Sequence, residues 1–121
     1  MTKTQVSKYY DLEDRTLKFA TQIRNFVKII PNNNANREYL KQLIRSSGSV
    51  GANYIEANEA LSKKDFILRI KICRKESKES RYWLLLLDLG ENSQLHKLRQ
   101  KLIDEVVELM KIFGSIVTKA G

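Results

Sequence analysis

Between Phe66 and Leu87, apolar and small residues recur at Phe66, Ile70, Cys73, Ser77, Ser80, Leu84 and Leu87, in steps that alternate four and three. That rhythm holds one edge of an α-helix against a partner over about six turns, and it is the spacing of left-handed helix packing. A β-strand with period two would scatter the same residues over both of its faces. The segment therefore requires partner helices, and the rest of the chain supplies them. Pro31 is the single proline and there are five glycines, so long helices are permitted nearly everywhere.

Four helical stretches follow in order. Asp11 is a candidate N-cap with Glu13 and Asp14 in the first turn, and Leu12, Phe19, Ile23, Phe26, Val27 and Ile30 form a stripe that Pro31 and the three asparagines after it end. This predicts a helix over 11–30. Asn36 is a candidate cap for a second helix over 37–60. Ser62 with Asp65 forms a capping-box-like opening for a third over 63–89, closed by Gly90 as a C′ residue. Asn92 and Ser93 provide the next turn and cap, and Leu95, Leu98, Leu102, Val106, Leu109, Phe113, Ile116 and Val117 line a fourth over 94–119. No strand pattern competes. Amphipathic helices on short loops predict an all-α, antiparallel up-and-down four-helix bundle, with residues 1–121 as one domain.

The second helix contains R-S-S-G-S-V-G-A-N-Y-I-E-A from Arg45 to Ala57. Two glycines inside a helix cost about 1 kcal/mol each relative to alanine. A helix that keeps them has close neighbours, so Ser47, Gly48, Gly51 and Ala52 are candidate close-packing positions. At 100° per residue Leu40, Leu43, Ile44, Ser47, Gly51, Tyr54 and Asn58 share the expected core face.

The net charge is +8 and it is unevenly spread. Residues 1–45 carry nine Lys or Arg against four acids and residues 63–81 eight against three, whereas residues 82–121 balance at five against five. Such a surplus suits a polyanionic partner such as RNA or DNA, the plainer reading being lysine-rich solvated faces. On the third helix Lys64, Lys71, Lys75, Lys78 and Tyr82 lie opposite the core seam, with Arg74 beside them. These six are the candidate nucleic-acid contacts, the lysines and arginine for phosphates and Tyr82 for stacking. A second stripe, Leu68, Ile72, Glu76, Glu79, Trp83 and Leu86, lies on a flank about 100° from the seam. A stripe that includes a tryptophan marks a candidate subunit interface and predicts a homo-oligomer; the alternative is that Trp83 widens the core and satisfies its indole N–H at the boundary. Glu56, Glu76 and Glu79 are candidates to pair with Arg45 or Arg69 across a helix or subunit contact.

Catalytic patterns are not found. His96, the single histidine, has no ligand-type residue near it in sequence, and Cys73 sits on the core seam. There is no paired Glu-x-x-His for a di-iron centre and no phosphate-loop or nucleophile-elbow motif. No catalytic residue, metal site or cofactor is expected. The longest apolar run, Tyr82 to Leu87, is too short to span a bilayer and no secretory leader is visible, so no membrane association and a cytoplasmic location are expected.

Four stretches carry a family resemblance: D-L-E-D-R-T-L-K-F-A from Asp11, Q-L-I-R-S-S-G-S-V-G-A-N-Y-I-E-A from Gln42, S-K-K-D-F-I from Ser62 and K-E-S-K-E-S-R-Y-W-L-L-L-L from Lys75. With them the chain resembles, over nearly its whole length, the bacterial four-helix bundle proteins encoded in intervening sequences of 23S ribosomal RNA genes. The resemblance implies an up-and-down bundle that assembles into a ring, a pentamer, and brings no catalytic residues. Related bundles include the accessory protein of diversity-generating retroelements, a basic protein that binds reverse transcriptase and nucleic acid. Two functions follow as expectations: a non-enzymatic oligomer associated with RNA through the basic helix face, or a protein-interaction scaffold, such as an accessory subunit for a reverse transcriptase, without direct nucleic-acid binding.

Overall fold

The computed structural model describes residues 11–121, and among them there are four helices and no strand. They are α1 (Leu12–Val27), α2 (Asn34–Asn58), α3 (Lys63–Leu86) and α4 (Ser93–Ala120). Each helix packs on its neighbours in sequence, and α1 meets α4 more sparingly to close the ring. This is the up-and-down arrangement that short loops impose.

The caps explain where the helices begin. Asn33, Ser62 and Asn92 are extended, and each side-chain oxygen accepts from the backbone N–H three residues on, at Asn36, Asp65 and Leu95. The cap of α2 is thus Asn33 and not Asn36, and the helix starts at Asn34. Asp11 holds the N-cap position of α1 in a helical conformation, without a side-chain cap bond to the first turn.

Asn36 has another task. It is fully buried, its Nδ2 donates to the carbonyls of Pro31 (3.1 Å) and Asp88 (2.9 Å), and its Oδ1 accepts from the N–H of Asp88 (2.9 Å). One side chain therefore clasps the α1–α2 turn to the α3–α4 loop. That clasp is why α3 stops at Leu86 and not at residue 89: Leu87 turns extended, and Leu87 and Leu89 are buried as parts of the loop. Gly90 has φ +61 but stands beyond this extended stretch, with its N–H bonded to Asp88 Oδ1 (3.0 Å). It turns the loop and does not cap α3. Arg99 satisfies helix-end carbonyls, donating to Leu87 (2.9 Å) and Leu84 (3.4 Å). At the other turn α1 ends at Val27, and two tight turns carry the chain through Ile30 to Pro31.

The core runs along Phe19, Ile23, Leu43, Val50, Ile70, Leu84, Val106, Leu109 and Phe113. On α2 the buried set is Leu43, Ser46, Ser47, Val50, Tyr54 and Ala57, while Ile44 and Asn58, expected on that face, are exposed. The difference has a simple origin. Helix α2 has a neighbour on each side of its core-facing edge, so its buried arc is rotated towards α3 and includes Ser46, whose hydroxyl meets Ser80 (2.9 Å). On the α1 side, Gly51 backs directly onto Thr16, where an added Cβ would lie 2.9 Å from Oγ1. Gly48 and Ala52 are exposed, and a Cβ at Gly48 would meet nothing within 4 Å. Close packing within the chain therefore applies to Ser47 and Gly51 and not to Gly48 or Ala52.

Candidate nucleic-acid interface

Helix α3 presents its basic face outward because the seam from Ile70 to Leu84 is drawn into the core. Lys64, Lys71, Arg74, Lys75, Lys78 and Tyr82 are all exposed. The structure brings four of them together. Lys71, Arg74, Lys75 and Lys78 form one wall of an open groove of about 510 Å³, and Met110, Lys111 and Gly114 of α4 form the other. Lys64 lies in a separate hollow at the start of α3 with Ser62 and Leu68, and Lys71 borders both.

The charges in the groove are weakly neutralised. Lys75 Nζ stands 3.9 Å from Glu76 and 3.8 Å from Glu79, and Lys111 stands 3.9 Å from Glu108. Pairs this long with an exposed lysine contribute little and leave the cations available. Lys71, Arg74 and Lys78 form no ion pair with any described residue. Gly114 matters to the shape: the Arg74 side chain crosses towards α4 there, its Nη1 and Cδ 3.7 and 3.8 Å from where a glycine Cβ would be. Lys111 and Gly114 were not evident in the sequence, because α4 is charge-balanced and only the α3–α4 packing sets them beside Arg74.

Tyr82, 56% exposed, lies one turn beyond Lys78. Its ring is held by Trp83 in an edge-to-face contact (5.1 Å between centroids, 74°), and Trp83 stacks on Tyr39 of α2 (6.2 Å, 27°). The second stripe of α3 is accordingly split. Trp83 is half-buried against α2, and its indole N–H is buried with no acceptor among the described residues. Glu76 is buried too, and it accepts from Arg45 at 3.0 Å, while Glu79 accepts from the other Arg45 nitrogen at 3.2 Å. Arg69 donates to Asn53 (3.1 Å), and Glu56 is exposed. Much of the stripe thus faces α2 of the same chain, since a bundle helix must pack on two neighbours. Leu68 and Leu86 stay exposed and Ile72 half-buried.

The reactive side chains are engaged elsewhere. Cys73 is fully buried with its thiol directed at the Val50 carbonyl (3.4 Å), and burial pushes its pKa up to about 12. His96 Nε2 lies 2.8 Å from the Gly90 carbonyl, which fixes the proton there, and Nδ1 accepts from Arg99 at 3.2 Å. Across the bundle Arg15 binds Glu105 in a two-pronged pair of 2.8 Å bonds, which raises the Arg15 pKa further. Among the described residues no group of three or more His, Cys, Asp or Glu is placed to hold a metal ion, and no helix is long and apolar enough to cross a membrane.

Fold and surface together define a small all-helical bundle whose concentrated chemistry is a cationic groove between its last two helices. The chain belongs to the family of 23S rRNA-intervening sequence proteins, whose family model matches residues 9–115. It is similar to a crystal structure of a protein of unknown function from the S23 ribosomal protein family, from Bacteroides thetaiotaomicron VPI-5482. The two share 32% identity and superpose with a TM-score of 0.76, over 92% of this chain and 98% of that one. No curated protein matches the chain.

Proposed function

We propose that this chain is a non-enzymatic, cytoplasmic, oligomeric bundle that associates with RNA through the basic α3–α4 groove. The observation that carries the reading is the set of cations Lys71, Arg74 and Lys78, which form no ion pair with a described residue, around one open groove, joined by the loosely paired Lys75 and Lys111. Flexible, solvated cations suit phosphates, whose neutralisation releases counterions and makes binding salt-dependent and largely indifferent to sequence. The family name ties its members to 23S rRNA intervening sequences, which favours RNA as the polyanion.

The test is fluorescence anisotropy of a labelled RNA titrated at several salt concentrations. Micromolar or tighter binding with a steep salt slope is expected, and Lys71→Glu with Lys78→Glu should weaken it and flatten the slope. Retained affinity in that double variant would move the site away from the groove. A second reading, a scaffold that recruits another protein, is favoured by the exposed Leu61 and Leu68, and absence of RNA binding even at low salt would make it the better one.

A further inference from the structure

Resting on that reading, we infer that the groove takes a single-stranded segment, with one unpaired base stacked on Tyr82 and the adjoining backbone laid along Lys78 towards Lys71. The aromatic arrangement carries the argument. Tyr82 keeps 56% of its surface exposed and still has an aromatic neighbour in contact. Trp83 braces it edge-on at 5.1 Å and is itself stacked on Tyr39 at 6.2 Å, so a chain of three rings anchors the exposed one in the α2–α3 packing. A braced aromatic face beside a line of cations is the combination that single-stranded nucleic acid requires: cations follow the backbone, and a base supplies the π-face.

Register supports the same assignment. Tyr82, Lys78, Lys75 and Lys71 recur at helical spacing on one face of α3, and four residues are about 6 Å along the axis. Arg74 flanks that line beside Gly114 of α4, and Lys111 stands on the α4 wall, so a strand leaving Tyr82 meets positive charge on both sides of the groove. In a duplex the bases are already stacked on one another and reach the ring only at an end. The same cations then contribute and the tyrosine does not.

The experiment compares a labelled oligo-U and an oligo-dT with a duplex of equal length. The proteins are the wild type and the Tyr82→Phe and Tyr82→Leu variants, each checked for helicity and melting temperature. Tighter binding of the single strands is expected. Tyr82→Leu should lose about 5-fold to 150-fold in single-strand affinity, the range set by stacking of one base, with the salt slope and duplex binding unchanged. Tyr82→Phe keeps the π-face and should bind as the wild type does. Trp83, the single tryptophan, gives a second signal through its contact with Tyr82: its emission should change on adding single strands and not on adding duplex. Equal affinity for single and double strands, or a Tyr82→Leu variant that binds single strands normally, would overturn this assignment while leaving the phosphate contact standing. Absence of binding to any of the probes would overturn both. The two sugars serve as separate arms, since stacking on Tyr82 does not distinguish them.

Discussion

At the scale of single residues, two glycines on one helix do different things. Gly51 is required by contact: a methyl group would lie 2.9 Å from Thr16 Oγ1 and 3.2 Å from its Cβ, and Thr16 is buried with its hydroxyl given to the Glu13 carbonyl. Gly51→Ala should therefore destabilise by about 1–2 kcal/mol despite its better helix propensity, because overpacking outweighs the propensity gain. Gly48→Ala meets no neighbour and should stabilise by about 0.5–1 kcal/mol. Urea unfolding of the two variants separates them by sign. Cys73 gives a pH prediction. The folded thiol titrates at about 12 against an ordinary 9.0, so between those values the unfolded chain has released a proton that the folded chain keeps. Stability is fully present below pH 9 and falls as pH rises through that window. The fall should be steeper in the wild type than in Cys73→Ala, and at pH 8 a thiol reagent should label Cys73 only after unfolding.

At the scale of elements, the helices are amphipathic enough to be read one by one, yet their ends are set by contacts between distant turns. Asn36 illustrates this. It is a candidate cap by sequence, whereas its three bonds to Pro31 and Asp88 join two loops at one end of the bundle. Asn36→Ala should cost about 2–4 kcal/mol, since it strands the N–H and C=O of Asp88 and empties a buried site. The check is the urea midpoint, together with hydrogen exchange at the Asp88 amide, which should lose protection. The pairing of Arg45 with Glu76 and Glu79 was open in the sequence between a helix contact and a subunit contact, and the α2–α3 packing places it within the chain.

At the scale of the whole molecule, residues 63–81 carry eight Lys or Arg against three acids, and the fold sets that part of the surplus beside Lys111 of α4. The flank of α3 that borders the basic face carries Leu68, 54% exposed, near the start of the helix, and Leu86 at its end. If the bundle self-associates through this flank, light scattering should give a multiple of 14.1 kDa for the wild type, and Leu68→Glu should return it to a single chain with its melting temperature kept. A wild-type mass of one chain would reject self-association. Leu68 is a cleaner probe than Trp83, whose replacement would also disturb Tyr39 and the intrachain packing.

The class of fold, the number of helices, two of the caps and the location of the basic face all follow from the sequence by itself. They rest on local physics: the 3.6-residue period, the capping chemistry of Ser and Asn, and the near absence of proline. What the tertiary structure decided is how those elements share their surfaces. It turned α2 so that Ser46 faces Ser80, engaged Glu76 and Trp83 with α2, made Gly51 indispensable and Gly48 free, and set Lys111 and Gly114 opposite Arg74. Each of these depends on which helix lies beside which and at what rotation. Periodicity along one chain segment reports that a face is buried, but not the neighbour that buries it.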